Sequence, residues 1–164
     1  MPTHAEKKTL PYSTEQMFNL VLDIERYPEF LPWCLSCDII KQSDDEILSN
    51  MVIGYKVFRE WFKCRVKFQR SHSIRVEYIN GPLRYLSNTW DFIPDPNGGC
   101  VVDFYVDFEF KNQFFQKLMG VFFNEIVKRM VKAFEDRATQ LYGSKPKMKA
   151  KQDQTPTKKK EASS

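Results

Sequence analysis

Residues 101–110 read Val-Val-Asp-Phe-Tyr-Val-Asp-Phe-Glu-Phe. In an extended chain Val102, Phe104, Val106, Phe108 and Phe110 share one face, while Asp103, Asp107 and Glu109 share the other. The stretch is therefore a strand with one face in a core and one in water. Directly after it, from about Asn112 to Tyr142, apolar residues recur at spacings of three and four: Phe115, Leu118, Met119, Phe122, Phe123, Ile126, Val127, Met130, Val131 and Phe134. That period is helical. A long aromatic-rich helix following a sheet with an aromatic inner face predicts a sheet wrapped around a helix, an arrangement that either fills with side chains or holds an apolar ligand.

Working outward, Ser13-Thr14-Glu15-Gln16 carries a capping-box signature, and Met17, Phe18, Val21, Leu22 and Ile24 supply a buried stripe behind it. This first helix is expected to end before Tyr27-Pro28, with one further turn at Glu29-Phe30-Leu31, the two pieces forming a bent, lid-like element. Strands are expected over 37–42, 47–56, 61–70, 74–79, 84–93 and 101–110, with a short opening strand at 7–10. Short connections, among them Asn80-Gly81-Pro82 and Asp95-Pro96-Asn97-Gly98-Gly99, make the sheet antiparallel. The order helix, strands, long helix defines an α+β class. In the strand from Trp61, Phe62, Cys64, Val66 and Phe68 alternate with Lys63, Arg65 and Lys67, a basic stripe that reads as a solvated face. It would complement the acidic face of 101–110 if the two strands were neighbours.

At 164 residues, 15% of them aromatic, the chain suits one domain with a sizeable core. The net charge of +4 divides unevenly. Residues 144–164 hold seven lysines against Asp153 and Glu161, which leaves residues 1–143 with 18 basic and 19 acidic groups. A domain over 1–143 thus lacks the basic bias of a DNA-binding protein. The lysine-rich segment 144–164, without apolar periodicity, is expected to be a disordered tail. No stretch approaches the roughly 18 apolar residues of a spanning helix. The opening Met-Pro-Thr-His-Ala-Glu-Lys-Lys resembles neither a secretory signal nor a transit peptide, so a bacterial cytoplasmic product is expected.

Candidates for chemistry are few. Cys34-Leu35-Ser36-Cys37 has redox-motif spacing but lacks the strand-then-helix context such a site needs, and Cys64, Cys100, His4 and His72 are scattered singly, so four ordinary thiols and no metal are expected. Neither histidine has an obvious orienting partner, and no phosphate loop or nucleophile elbow is present. Glu60 and Asp91 are the carboxylates that an apolar pocket would have to activate, and both read as surface acids. Gly120, in mid-helix, costs about 1 kcal/mol relative to alanine, which implies close packing, a bend or a gap for a ligand, with close packing the simplest reason.

The segment 12–34, from Tyr12-Ser13-Thr14 through Tyr27-Pro28-Glu29-Phe30-Leu31-Pro32-Trp33-Cys34, resembles the opening of the coenzyme Q-binding START-domain family, within the polyketide cyclase and dehydrase-like proteins. Further matches follow in order: Ile53-Gly54-Tyr55, Arg59-Glu60-Trp61-Phe62, Gly81-Pro82-Leu83, Trp90-Asp91-Phe92, Asp107-Phe108-Glu109-Phe110 and Met130-Val131-Lys132-Ala133-Phe134-Glu135. Together they span about residues 9–143. Cys64 stands where many relatives carry Ser, and the lysine-rich tail lies outside the family pattern.

The resemblance implies a helix-grip fold with an elongated hydrophobic cavity, and a ubiquinone carrier supporting respiration rather than an enzyme. It also implies two alternatives. Bacterial relatives are named as toxins that bind the large ribosomal subunit and block subunit association, and distant ones are polyketide cyclases or dehydratases. By the resemblance together with strand parity, the expected ligand wall is Phe58, Phe62, Leu83, Leu86, Trp90, Phe92, Phe108, Leu118, Phe122 and Val127, with Pro32 and Trp33 at the mouth. Ubiquinone or a similar prenyl lipid is then the expected ligand, with no other cofactor. The lysine-rich tail offers a peripheral contact with an anionic inner membrane, at about 1 kcal/mol per lysine near the surface.

Overall fold

The computed structural model describes residues 3–55 and 58–143; the side chains of Tyr55 and Phe58 and the lysine-rich segment 144–164 lie outside the described residues. The chain runs β1 (Thr3–Leu10), α1 (Thr14–Leu22), a 3-10 helix (Ile24–Glu29), β2 (Cys34–Gln42), β3 (Glu46–Tyr55), β4 (Phe58–Gln69), β5 (Ser73–Asn80), β6 (Leu83–Pro94), β7 (Cys100–Phe110) and α2 (Gln113–Tyr142). The seven strands form one antiparallel sheet in the order β1-β7-β6-β5-β4-β3-β2. Successive strands from β2 to β7 pair as antiparallel neighbours. β1 instead joins β7, so α1 and the 3-10 helix carry the chain across the sheet to begin β2.

The opening strand is twice as long as its apolar residues suggest. Cross-strand pairing extends it, for Lys7 lies opposite Asp103 and Thr3 opposite Asp107 in β7. These polar contacts have no hydrophobic period to reveal them. The 61–70 strand does not neighbour the acidic face of β7. β4 lies between β3 and β5, so Arg65 pairs with Glu46 (2.7 Å) and Lys67 with Glu77 (2.9 Å), while Glu109 of β7 meets Arg84.

Helix α1 starts at the anticipated capping box: Gln16 N–H donates to Ser13 Oγ (3.0 Å) and Ser13 N–H to Gln16 Oε1 (2.9 Å). It stops at Leu22, earlier than expected. The following turn tightens into a 3-10 helix that carries Pro28 within it and ends at Glu29, so the extra turn lies mostly ahead of Glu29-Phe30-Leu31. Met17, Phe18, Leu20 and Val21 are all buried, so α1 plugs the sheet instead of forming a lid. Phe18 sits edge-on to Phe92 of β6 (5.8 Å) and near Phe68 of β4 (6.0 Å).

Asn112 caps α2 by accepting from Phe114 and Phe115 N–H. Thirty residues make a rod of about 45 Å. Its C-terminal end is tied to the start of α1: Tyr12 O–H donates to Gly143 O (2.9 Å), and Tyr142 O–H to Gln16 O (2.9 Å). Further back, buried Phe134 packs on Trp90 of β6 (5.1 Å), Tyr27 (5.6 Å) and Phe30 (5.4 Å), one ring joining three elements. Towards the N-terminal half, Phe123 and Val127 pack on Phe104 and Val106 of β7. Close packing does not explain Gly120. It is exposed, and a Cβ there would meet nothing within 4 Å.

Phe134→Ala should therefore cost about 3–5 kcal/mol, at the upper end for a core aromatic because three elements lose a shared partner. Urea unfolding measures this. An exposed residue of the same helix, Leu141, changed to Ala should shift the midpoint little.

Candidate functional site

Burial along the inner face of the sheet is graded from one end to the other. On β3 it falls from Ile47 and Ser49, both buried, to half-buried Met51 and Ile53. On β4, Phe68, Val66 and Cys64 are buried while Phe62 and Glu60 are half-buried. β5 goes from buried Ile74 to half-buried Val76 and Tyr78, and β6 from buried Phe92 to half-buried Trp90, Asn88 and Leu86. The cause is geometric. α1, nine residues long, reaches over only the end where Phe18 meets Phe68 and Phe92. α2 stands over β6 and β7, where Phe123 meets Phe108 at 5.6 Å. The inner face of β3–β6 at the other end is left as an apolar trough.

That open end is bounded by closely fitted turns. Gly54 N–H donates to Trp33 O (2.8 Å), and Trp33 holds a left-handed backbone (φ 70°) that strains a large side chain. Lys111 N–H donates to Pro82 O (2.9 Å), which joins the start of α2 to the β5–β6 turn. In that turn Gly81 has φ 150°, and a Cβ on it would lie 2.7 Å from Trp61 O. A side chain there would force the turn off β4.

Among the anticipated wall residues, Phe62, Leu86 and Trp90 lie half-buried in the trough. Leu118 and Phe122 are exposed on the flank of α2 that also carries Arg129 and Ala133, the flank facing Pro32 and Phe30, so they form the helix-side rim. Leu83, Phe92 and Val127 are buried to 2–3% exposure and belong to packed core: Phe92 under α1, Val127 against β7, Leu83 opposite Phe110. Phe108 is held under α2 by Phe123. Pro32 lines a surface groove of about 300 Å3 with Phe30, Arg129, Lys132, Ala133, Asp136, Arg137 and Gln140. In it Arg137 is bound to Glu29 (2.9 Å) and lies over the Phe30 ring (5.0 Å). The side chain of Phe58 lies outside the described residues.

Sequence reasoning missed Met51, Ile53, Tyr78 and Asn88 of the inner face. In β3 the two faces, Ile47-Ser49-Met51-Ile53 and Leu48-Asn50-Val52, differ too little in polarity for the alternation to say which faces in. Tyr78 and Asn88 are the informative omissions, because they bring polar atoms to the apolar floor. Tyr78 Oη accepts Leu83 N–H (2.9 Å), and no described residue takes its proton. Burial holds its pKa above the ordinary tyrosine value, so it remains a donor at neutral pH. Asn88 donates to Tyr105 O (2.9 Å) and accepts from Trp90 Nε1 (3.3 Å), which fixes the indole in place.

Of the two candidate carboxylates, Asp91 lies on the outer face and is bound by Arg75 at 2.9 Å. Glu60 shares the inner parity, opposite Ile53, and has no ion pair or hydrogen bond among the described residues. His72 lies in the β4–β5 turn on Arg70 O (2.7 Å), far along the strands from the open end. Cys34 and Cys37 are buried free thiols on β2, not a motif at a helix start. Burial pushes Cys34 up to about 11 and Cys37 up to about 12.

Residues 10–135 match the family described as polyketide cyclase / dehydrase and lipid transport. The chain belongs to that family. It is 36% identical over 138 residues to the ribosome association toxin RatA of Rickettsia prowazekii, covering 82% of this chain and 94% of that protein. It is 33% identical over 144 residues to the mitochondrial coenzyme Q-binding protein COQ10 homolog B of Xenopus laevis, covering 85% of this chain but 59% of that one. In structure it is similar to a START superfamily protein from Mycobacterium smegmatis, with a TM-score of 0.69 at 19% identity over 85% of this chain and 98% of that one. The α+β helix-grip architecture is thus that of the START-like proteins.

With pKa values of about 11 or above, fewer than about one in a thousand of the Cys34, Cys37, Cys64 and Cys100 thiols is ionised at pH 8. All four should resist a thiol reagent in the native protein at pH 8 and react at once in denaturant. Rapid native labelling of Cys34 and Cys37 would contradict their burial.

Proposed function

We propose that the trough binds ubiquinone or a similar prenyl lipid, and that the protein acts as a carrier and not as an enzyme. The observation that carries this reading is the burial gradient: an apolar inner face, sealed by α1 at one end and left half-covered at the other. An isoprenoid tail needs only such a surface, at about 25 cal/mol per Å2 removed from water. A quinone head presents a flat ring and carbonyl acceptors. Tyr78, with its hydroxyl proton available, would donate to one carbonyl, and the Phe62 ring beside it would face the head group. Affinity then comes from the tail and selectivity from the head. Among the described residues, Asp91 lies on the outer face bound by Arg75, and Glu60 forms no ion pair or hydrogen bond, so the carboxylates the sequence offered do not form an acid–base pair in the trough.

A second reading is ribosome association, favoured by the name and coverage of the Rickettsia relative. The near-neutral charge of residues 1–143 weighs against a surface built for RNA phosphates, which leaves the seven lysines of 144–164 as the cationic element. Sucrose-gradient sedimentation separates the readings, because comigration with the large subunit at physiological salt would favour the second.

Protein purified from its native host should carry a prenyl lipid detectable by mass spectrometry, and should take up added ubiquinone with quenching of tryptophan fluorescence. Tyr78→Phe should weaken head-group binding about fivefold, the worth of roughly 1 kcal/mol for one hydrogen bond, and should also lower the thermal midpoint, because Leu83 N–H loses its acceptor. No lipid recovered and no uptake by the wild type would sink this reading.

A further inference from the structure

The large apolar side chains left exposed on this molecule are not evenly spread. Leu35 (44%), Trp61 (49%), Ile79 (40%), Phe114 (60%), Val121 (75%) and Phe122 (52%) all belong to elements that meet at the open end of the trough. The linkages already described place them there. Trp61 lies against Gly81, Ile79 precedes that turn, Pro82 binds the start of α2, and Leu35 follows Trp33, which is fastened to Gly54. Leu118 and Phe122 form the helix-side rim, and Phe114 and Val121 continue it onto the outward face of α2. Leu35, Trp61 and Ile79 form the sheet-side rim on the outer face. Exposed apolar side chains thus flank the open end on both layers, sheet and helix, and such a concentration of them marks an interaction surface.

Its charges are arranged to match. Arg59, Lys63, Lys111 and Lys117 lie beside these residues, and none forms an ion pair among the described residues, whereas further along α2 Arg129, Lys132 and Arg137 are matched by Glu125, Asp136 and Glu29, with Lys128 the exception. Against the four stand Glu60, on the inner rim, and Asp38. Apolar side chains at the tip with cations set around them is the pattern that enters the boundary between lipid head groups and acyl chains, the apolar residues sinking about 5–10 Å and the cations meeting anionic phosphates. A nucleic acid would call for the reverse, with cations central and few exposed aliphatics.

We propose that the protein docks end-on to an anionic phospholipid bilayer through Trp61 and Leu35 on one side of the trough and Phe114, Val121 and Phe122 on the other, so that the open end faces the acyl chains. The surface deepens the carrier reading and rests on it for its purpose, because a prenyl lipid would pass between bilayer and trough without crossing water. Its residues are not those of the lysine-rich segment, which begins after the C-terminal end of α2; that end is about 30 Å from Val121 at 1.5 Å per residue.

The test uses the full chain, so that residues 144–164 contribute equally to every sample. Cosedimentation is measured with vesicles of phosphatidylcholine alone and with about one part in three phosphatidylglycerol, at low salt and at about 0.5 M, where exposed charges are largely screened. Wild type should bind the anionic vesicles and keep a measurable part of that binding at high salt. Trp61→Ser combined with Val121→Ser, at side chains 49% and 75% exposed, should lower the partition coefficient tenfold or more, with the thermal midpoint measured alongside to show that the variant is folded at the assay temperature. Ile40→Ser with Ile93→Ser, equally exposed but outside this end, should leave it unchanged. Equal binding by both double variants would overturn the proposal. So would a concentration-dependent dimer, or large-subunit comigration, that the Trp61/Val121 variant abolishes, since the apolar end would then serve a second copy or the ribosome. Uptake of a short-tailed, water-soluble ubiquinone without vesicles is measured in parallel. Its failure with vesicle binding intact would remove the quinone reading alone, and its success with vesicle binding lost would remove the docking alone.

Discussion

The packing of Phe134 sets where everything else lies. One ring touches Trp90 on the sheet and Tyr27 and Phe30 on the crossing segment, and so fixes the C-terminal half of α2 against both. Beyond that point, towards Gln113, the helix is held only along β6 and β7 by Met119, Phe123, Val127 and their neighbours. A rod of about 45 Å anchored in this way cannot also cover β3 to β5 at the far end, and α1 is too short to help. The trough follows from these lengths.

The same arrangement separates stability from function along the strands. The end under α1 holds Phe18, Ile47, Ile74 and Cys100, each at 2% exposure or less, and supplies the packing that specifies the fold. At the other end the inner residues of β3 to β5 are only half-buried, while Leu83 and Phe110 are buried beside the start of α2; the backbone turns there are strained or glycine-dependent, and the polar atoms of Tyr78 and Glu60 keep unused capacity. Strained turns of that kind cost stability, while half-buried polar groups stay open to a ligand. Membership of a family that spans lipid transport and cyclases is consistent with a scaffold whose closed half is structural and whose open half is free to vary.

Much of this was legible in the sequence because it rests on local period. The alternation in 101–110, the capping box at Ser13 and the helical stripe from Phe115 to Phe134 each state which face is buried, and the structure agrees at Phe104, Phe110, Phe123 and Phe134. What could not be read depends on neighbours distant in sequence. Whether Phe92 and Phe62 end up as core or as trough is decided by how far α1 reaches, and whether Phe122 is buried is decided by what faces α2. Arg65 and Lys67 found Glu46 and Glu77 because of strand order, which alternation does not encode. Gly120 invited an explanation by close approach, and instead lies in open space beside the exposed rim.

The most direct test of the account is a methyl NMR titration of the full chain with ubiquinone. The graded inner face predicts that Met51, Ile53 and Leu86 methyl signals shift and show contacts to the isoprenoid tail, while Ile47 and Ile74, sealed beneath α1, stay in place. Shifts centred on Ile47 and Ile74, or saturable binding that leaves Met51, Ile53 and Leu86 unmoved, would contradict it.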